Sequence, residues 1–435
     1  MSEGVDQPQS ACDVLIVGGG PAGSTIGALL AADGLDVVLL EKDRHPRFHI
    51  GESLLPMNMP LLEKLGVLDQ VAAIGIPKFG IEFNAPWHDK PVEFHFANAM
   101  DKARSSAFQV RRSVFDHILL KNAAAKGTKV FEGCRATEIE FLDRGGALVT
   151  ASDEDGAQRH WRAKFLIDAS GRDTLLAGRF GIKRSNMQHG TAAVFGHFTG
   201  AKRLCGKAEG HISIFWFEHG WIWFIPLADG TTSIGAVCRP AYVKTRKTDV
   251  TTFLMDTLAL SPKLMERLTE ATLTGPATAT GNYSYMADRM TGKDHIMVGD
   301  AFAFVDPVFS TGVFLAMNGA FRGAEVVRTA LHEPSRAARA MARYEAETRD
   351  AIATFSWYIY NMTRPAFQDL FMAPSNVFRI EEAMMSLLSG DVFRDTPIKT
   401  PLRLFKSLFY LKTLRYKLRG EETARLARFA SNSAA

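Results

Sequence analysis

The stretch DVLIVGGGPAGS, residues 13–24, decides the fold of this chain. Its four apolar residues predict a short buried strand, and the Ala/Leu-rich segment after the turn predicts a helix. The glycines of the turn are Gly18, Gly20 and Gly23. Residues 36–40 predict the next strand, which ends at Glu41. A strand, a GxGxxG turn, a helix and an acid about 20 residues further on are typical of a βαβ dinucleotide-binding unit.

The glycine turn has a specific use in such a unit. Glycine allows a tight turn and a close approach of the backbone to a pyrophosphate, which then lies at the positive end of the helix. Glu41 is then placed to accept a hydrogen bond from a ribose hydroxyl. A glycine-rich turn with only a structural purpose is the alternative. The two strands and the acid favour the dinucleotide site.

Composition restricts the class of protein further. The chain has 435 residues, 46% hydrophobic and 23% charged, which predicts a folded protein with two lobes. Its 51 basic and 47 acidic residues give no overall reason to expect nucleic-acid binding. The four cysteines lie far apart without CxxC spacing, so we expect no metal site and no disulfide framework, and a cytoplasmic location. No secretory signal and no integral membrane segment are expected, because no long uncharged apolar run occurs.

The remaining pattern predicts strands and helices in blocks. The segments HISIFWF and GWIWFIPL are separated by Glu218 and His219, which indicates a β-hairpin. The other predicted strands cover residues 130–141, 146–152 and 161–169, and the predicted helical segments cover residues 56–73, 299–331 and 337–362.

Two further segments, IDASGRDT (167–174) and MVGDAFAFVDP (297–307), complete a resemblance to the flavin monooxygenases with the p-hydroxybenzoate hydroxylase-like fold. The resemblance covers about residues 12–330 and implies FAD as the cofactor. The residues that match its FAD-contacting positions are Gly18, Gly20, Gly23, Glu41, Arg112, Asp168 and Asp300, with Gly312 in a later motif.

This resemblance implies a mixed α/β and α+β fold, in which a Rossmann-like FAD-binding domain is interleaved with a β-sheet substrate domain and followed by a C-terminal helical region. The expected parts are a disordered N-terminus (1–11), the FAD-binding domain (12–190, with substrate-side segments at about 76–110), the β-rich substrate domain (191–285), a return to the FAD domain (286–335) and the helical region (336–435).

A pair of tryptophans indicates a more specific group within these flavin enzymes. The segment from Trp221 to Pro226 matches the WxWxIP signature of the flavin-dependent halogenases, which receive reduced FAD (FADH2) from a separate flavin reductase. On a strand, Trp221 and Trp223 point to one face and form a broad apolar wall. The resemblance implies that Trp221, Trp223 and Pro226 lie along a tunnel between flavin and substrate. Ordinary core packing of the two tryptophans is the alternative.

The segment FVDPVFSTGV, residues 304–313, resembles a second halogenase motif. The resemblance implies that Ser310 is catalytic and that the backbone amides of Thr311 and Gly312 bind chloride or bromide. Backbone N–H groups at the start of a helix are physically suited to an anion.

A lysine completes the resemblance. The halogenases carry a catalytic lysine some two dozen residues after a Gly-Glu-Ser/Ala motif, and GESLLP at residue 51 places Lys78 at the matching position. Alternation of Ile76, Lys78 and Gly80 with apolar residues predicts a strand with Lys78 on one face. The resemblance implies that O2, halide and FADH2 yield hypohalous acid. Lys78 would then deliver it as a hydrogen-bonding ammonium or as a chloramine.

Phe309 stands where the tryptophan halogenases have a glutamate, so the resemblance favours the branch that acts on phenols and pyrroles. The substrate is then a small electron-rich aromatic, free or linked to an acyl or peptidyl carrier protein. A phenol would benefit from a general base, for which His197, His211 and His219 are candidates. An FAD-dependent hydroxylase or related flavin oxidoreductase is the alternative enzyme, and a non-catalytic flavin-binding protein is a third interpretation.

The C-terminal region lies outside the strongest resemblance. The segment FSWYIYNMTRPAFQDLFM, residues 355–372, predicts either a cap over a substrate pocket or a packed helical core. Residues 398–420 contain seven Lys or Arg and no acid, and five leucines share one helix face: Leu404, Leu408, Leu411, Leu414 and Leu418. This segment is either a solvated surface helix or a docking site for an acidic carrier protein or a membrane surface.

Overall fold

The computed structural model of the chain describes residues 10–186, 190–281 and 284–419. The strands in this part of the chain are β1 Ser10–Val17, β2 Val37–Glu41, β3 Gly75–Lys78, β4 Gly80–Asn84, β5 Val92–His95, β6 Ala107–Val110, β7 Lys129–Glu132, β8 Cys134–Phe141, β9 Ala147–Asp153, β10 Gln158–Asp168, β11 Lys183–Ser185, β12 Ala192–Thr199, β13 Ile212–Phe217, β14 Gly220–Pro226, β15 Thr232–Cys238, β16 Thr272–Leu273, β17 Thr278–Gly281, β18 Tyr285–Ala287, β19 Thr291–Gly292, β20 His295–Met297 and β21 Ala303–Phe304. The helices are α1 Pro21–Ala32, α2 Met59–Leu65, α3 Leu68–Ile74, α4 Arg112–Ala125, α5 Leu175–Arg179, α6 Pro240–Val243, α7 Val250–Ala259, α8 Pro262–Met265, α9 Thr311–His332, α10 Pro334–Asn361, α11 Pro365–Phe371, α12 Ile380–Leu388 and α13 Lys399–Arg419.

The first sheet is built around β1, which pairs in parallel with β2 on one side and β10 on the other. Strands β7 and β20 extend the parallel sheet, and β8, β9 and β19 add antiparallel edges. The last residue of β1, Val17, lies beside Asp168 at the end of β10. Because parallel strands end at one edge, the glycine turn, Glu41 and the turn after Asp168 meet there.

The second sheet is mostly antiparallel, with the order β16-β12-β15-β14-β13-β4-β5 and β17 paired to β12. The hairpin predicted from the sequence is confirmed: β13 and β14 pair antiparallel, with Phe217 opposite Gly220. Strands β4 and β5 come well before the other strands of this sheet in the chain, and β4 joins β13 in parallel. The chain therefore passes from the first sheet to the second and back.

Each face of the second sheet is covered by helix. Alternate residues of β12–β15 pack against α7, through Phe253, Leu254 and Leu258. The opposite face carries Trp216, Trp221 and Trp223, and these belong to one apolar cluster with α10–α13. The aromatic segment at residues 355–372 therefore packs as a core between the sheet and α13. Within the described residues no helix is both long enough and apolar enough to cross a membrane.

Several element boundaries differ from the sequence predictions. Strand β1 begins at Ser10, so residues 10 and 11 of the expected disordered N-terminus are strand, and residues 1–9 lie outside the described part. The strand expected over 130–141 is divided at Gly133, whose φ of +67° turns the chain. The helix expected from Gly299 begins only at Thr311, because Gly299 and Ser310 both have positive φ and interrupt helical geometry. Residues 420–435, the end of the expected helical region, are also outside the described part.

Candidate active site

A cavity of about 580 Å³ lies between the edge of the first sheet and the tryptophan-bearing face of the second. It is lined by the glycine turn after β1, Glu41, the segment 47–53, the turn after β10 and the N-terminus of α9. On the side of the second sheet it is lined by Trp221, Trp223 and Ile225. The two sheets therefore share one site.

Two glycines of the turn, Gly18 and Gly23, are required by close backbone contacts, whereas Gly20 leaves space that a ligand could occupy. A Cβ atom at Gly18 would lie 2.3 Å from the carbonyl oxygen of Ala169, and one at Gly23 would lie 1.9 Å from the carbonyl oxygen of Gly18. A Cβ atom at Gly20 would approach only the Arg47 side chain, at 3.5 Å. Gly20 is thus free of packing constraints and lines the cavity at the start of α1.

Glu41 holds the turn in place. Its buried carboxylate accepts a hydrogen bond from the backbone N–H of Gly19 at 2.6 Å and another from the N–H of Asp43 at 2.9 Å. Glu41 also lines the cavity. A carboxylate at the end of β2, beside a glycine turn and the N-terminus of a helix, is the arrangement that binds a ribose and a pyrophosphate. The residues present therefore fit a dinucleotide such as FAD.

Two of the predicted acids have different surroundings. Asp168 is fully buried and accepts hydrogen bonds from the backbone N–H groups of Ser170 and Leu176, at 3.0 and 2.7 Å. It shapes the turn that lines the cavity, whereas its own side chain is not part of the lining. Asp300 does line the cavity, and burial raises its pKa to about 6 despite the opposing positive charges of Arg112 and Arg172.

Arg112 joins the segment 47–53 to α4. Its guanidinium donates to both carboxylate oxygens of Asp116, at 2.8 and 3.0 Å, and to the carbonyl oxygen of Ile50 at 2.6 Å. The next residue, Gly51, has a φ of +100°, and an added Cβ atom there would lie 2.9 Å from the guanidinium. Arg112 thus fixes the path of a loop that lines the cavity.

The N-terminus of α9 opens into the cavity. Ser310 has a φ of +57°, which sets the direction of the helix, and Ser310 and Gly312 line the cavity while Thr311 is buried. The first backbone N–H groups of a helix have no partner within the helix, and the first turn of α9 contains no acidic residue. A Cβ atom at Gly312 would meet no heavy atom within 4 Å, so this end has room for an anion.

The tryptophan wall is fixed by hydrogen bonds as well as by packing. The indole N–H of Trp223 donates to the Ser233 hydroxyl at 3.1 Å, and the indole of Trp221 lies beside the buried carboxylate of Asp306, which accepts hydrogen bonds from the Thr191 hydroxyl and the Val308 N–H. Burial raises the pKa of Asp306 to about 6. Pro226, the third predicted tunnel residue, ends β14 and is not part of the cavity lining.

Lys78 is fully buried, which is rare for lysine. Its Nζ atom donates hydrogen bonds to the Ser53 hydroxyl at 2.8 Å and to the Leu54 carbonyl oxygen at 3.1 Å, and it lies 5.2 Å from the centre of the Phe96 ring. Burial lowers its pKa from 10.5 to about 7. Lys78 does not line the large cavity, but its partner Ser53 does.

The sequence predicts one strand from Ile76 past Lys78 to Gly80. This prediction is wrong in one respect, because the strand ends at Lys78. Strand β3 ends at Lys78, and β4 begins at Gly80 in a different sheet. The reason is that β3 pairs with β6, whereas Gly80 starts the strand that pairs with β13. Lys78 therefore lies at the junction between two sheets.

The three histidine candidates are not together. His197 contacts the buried carboxylate of Glu52 through Nε2 at 2.6 Å. Burial lowers the pKa of His211 to about 4, and His219 stacks on Tyr242 with ring centres 4.2 Å apart. Glu52 lines the cavity, and the sequence analysis did not single it out. The GESLLP motif, which contains Glu52 and Ser53, is the sequence feature that could have indicated Glu52 as a site residue.

Comparisons with known proteins give the family of the chain. The FAD-binding domain family matches residues 11–355. The chain is 34% identical to the flavin-dependent halogenase armH3 of Armillaria mellea, over 80% of this chain and 73% of that protein. It is 29% identical to the 1H-pyrrole-2-carbonyl-[peptidyl-carrier protein] chlorinase of Pseudomonas fluorescens, over 88% of this chain and 89% of that protein. The match to the related halogenase armH1 of Armillaria mellea spans 66% of that protein's length.

A solved structure gives the same result. The myxobacterial chondrochloren halogenase CndH superposes with a TM-score of 0.77 and 30% identity, over 93% of this chain and 97% of that one. The family match covers most of the chain, and relatives and structure alike are halogenases. This chain belongs to the FAD-binding domain family and, within it, to the flavin-dependent halogenases.

Proposed function

We propose that this halogenase uses FADH2 from a separate flavin reductase, together with O2 and chloride or bromide, to halogenate a phenol or a pyrrole held near Lys78. The observation that carries the proposal is a buried lysine with a pKa near 7, connected through Ser53 to the cavity that fits FAD. When bound, the reduced flavin would supply two of the four electrons that O2 accepts, and halide would supply the other two as it is oxidised to hypohalous acid.

The cofactor would occupy the cavity along the edge of the first sheet. The N-terminus of α1 at Gly20 would receive the pyrophosphate, and Glu41 would accept from the ribose. Asp300 and Arg112 would lie beside the rest of the cofactor, and Asp168 would support it indirectly through its turn.

The halide would bind at the start of α9, close to Ser310. The backbone N–H groups of Thr311 and Gly312 point out of the helix at its positive end, which favours an anion. Trp221 and Trp223 line the same cavity, and their apolar wall would exclude water and keep the substrate away from this position. Hypohalous acid formed beside the wall would have to pass it to reach Lys78.

Lys78 is suited to receive that acid. With a pKa near 7, both its ammonium and its amine are populated at neutral pH, so Nζ can either donate a hydrogen bond to hypohalous acid or react with it. The Ser53 hydroxyl and the Leu54 carbonyl fix the position of Nζ. A fixed position selects which carbon of the aromatic ring is halogenated.

The substrate class is supported by Phe309 and by the relatives. Phe309 is buried and supplies no carboxylate beside Ser310. One relative acts on a pyrrole bound to a peptidyl carrier protein, and we therefore propose electron-rich aromatics, free or carrier-linked. The Glu52–His197 pair is the best-placed proton acceptor, because Glu52 lines the cavity and His197 is only partly buried.

The test is an assay with purified protein, FAD, a flavin reductase, NADH, O2 and bromide, on a panel of phenols and pyrroles, with products read by mass spectrometry. A bromine isotope doublet that requires the reductase supports the proposal. Addition of one oxygen without dependence on halide would instead assign the chain to the hydroxylases.

The role of the lysine needs its own comparison. We expect Lys78→Ala to abolish halogenation while FAD binding persists, and the exposed Lys126→Ala to retain full activity as the matched control. Full activity of Lys78→Ala would remove the lysine from the mechanism.

A further inference from the structure

Helix α13 has two apolar sides. Its inward side is anchored, because Leu402, Phe405 and Phe409 are buried against the aromatic residues of α10 and α11. The Tyr358 hydroxyl also donates a hydrogen bond to the Leu402 carbonyl oxygen at 2.8 Å. The packing of the helix therefore does not depend on the leucines of its outward side.

The outward side is also apolar and is exposed. Leu411, Leu414 and Leu418 are 65%, 54% and 79% exposed, and Leu408 and Tyr410 lie beside them. The leucines recur at spacings of three and four residues, so they form one stripe along the helix. These five residues are called the α13 outward face below. Leaving such a stripe in water is unfavourable, and a stripe of this kind marks an interaction surface.

The charges of the α13 segment itself have one sign. Residues 398–419 contain seven Lys or Arg and no Asp or Glu. Arg403, Arg415 and Lys417 are exposed on the same helix as the α13 outward face. The surface thus combines leucines that favour an apolar medium with cations that favour an anionic one.

We propose that the α13 outward face docks on an anionic phospholipid surface. The leucines would enter the boundary between headgroups and acyl chains, and the flanking cations would contact lipid phosphates. Tyr410, whose hydroxyl accepts a hydrogen bond from the Trp357 indole N–H at 3.0 Å, would present its ring to the same interface. The proposal does not depend on the substrate of the enzyme.

Two other occupants fit less well. A second copy of this chain would bring two sets of cations together across the stripe, and like charges oppose association. An acidic protein would satisfy the charges. However, the stripe is a convex ridge with more than half of each of its three main leucines exposed, and a protein partner needs a complementary groove for such a ridge. A lipid surface adapts to a ridge without one.

The experiment is co-sedimentation of the full chain, loaded with FAD, with vesicles of phosphatidylcholine alone or mixed with phosphatidylglycerol. We expect binding to the mixed vesicles only, weakening as salt is raised. The double variant Leu411→Ser and Leu418→Ser should bind at least roughly tenfold more weakly. Leu260→Ser, at an exposed leucine outside α13, is the matched control and should bind like the unmodified chain.

Three results would overturn the proposal. They are absence of binding to anionic vesicles, undiminished binding of the double variant, and a stripe-dependent complex with an acidic carrier domain or a second copy in place of vesicle binding. Halogenation of a free phenol is measured for every variant. Because the α13 outward face lies outside the proposed catalytic residues, loss of vesicle binding with retained halogenation would separate this surface from the active site.

Discussion

The Nζ atom of Lys78 lies 2.8 Å from the Oγ atom of Ser53, and this hydrogen bond joins a fully buried amine to the lining of the large cavity. Ser53 follows Glu52, whose carboxylate contacts His197. One loop therefore contacts both Lys78, through Ser53, and His197, through Glu52.

Ser53→Ala should lower kcat for halogenation roughly tenfold or more, because a hydrogen bond to a charged group contributes about 1.5–3 kcal/mol. FAD affinity, measured by fluorescence titration, should stay unchanged. Ser53→Thr keeps the hydroxyl and should recover most of the activity. Equal kcat for the alanine and threonine variants would contradict the role of the hydroxyl.

The buried lysine should also make stability depend on pH. The pKa of Lys78 falls from 10.5 in the unfolded chain to about 7 in the folded one, so between these values the unfolded state binds more protons. Its contribution to the free energy of unfolding therefore rises with pH from about 7 to 10.5, at up to about 1.4 kcal/mol per pH unit. Lys78→Met should be more stable than the unmodified chain at pH 7, by on the order of 4 kcal/mol at most.

That advantage should shrink as the pH rises towards 10 and stay constant below pH 7. Urea denaturation of both FAD-saturated proteins across this pH range measures it. A difference that does not vary with pH would show that Lys78 titrates normally in the folded protein.

Two glycines of the same turn should behave differently. In Gly23→Ala the new Cβ atom would collide with the Gly18 carbonyl, so the melting temperature should fall even without FAD. In Gly20→Ala the Cβ atom meets only the Arg47 side chain, so the chain should fold normally but bind FAD at least roughly tenfold more weakly.

Thermal unfolding without cofactor and FAD titration together distinguish the two glycine effects. Gly275→Ala, where the added carbon meets nothing within 4 Å, is the control and should change neither quantity. Normal FAD affinity in Gly20→Ala would place the cofactor elsewhere.

Gly312→Pro should raise the KM for bromide roughly tenfold, because it removes one N–H donor from the proposed anion site, and proline is tolerated in the first turn of a helix. Gly312→Ala keeps the N–H and should bind bromide nearly normally. FAD affinity is measured for both variants, so that an obstructed cavity is detected separately. An unchanged bromide KM in the proline variant, with FAD bound, would move the halide away from this helix end.

Local patterns in the sequence were enough for the parts of the fold that depend on neighbouring residues. The glycine turn, Glu41 at the end of β2 and the β13–β14 hairpin are each decided within a few tens of residues, by backbone sterics and alternating apolar residues. The start of α9 was misjudged, because an apolar run from Gly299 does not reveal that Ser310 adopts a positive φ. The five-leucine stripe of α13 was visible in the sequence, but the sequence did not show that four of these leucines are exposed while Leu404 packs against the core.

The sequence by itself determined the βαβ dinucleotide unit and the family resemblance, since these depend on residue types at fixed short spacings. Only the tertiary structure brought Lys78 to Ser53, Glu52 to His197 and Asp306 to Trp221. It also turned Leu411, Leu414 and Leu418 outward. The physical reason is that burial and long-range hydrogen bonding depend on which elements pack together. The same lysine would be an ordinary solvated cation on an exposed strand, and it has a pKa near 7 because two sheets meet around it.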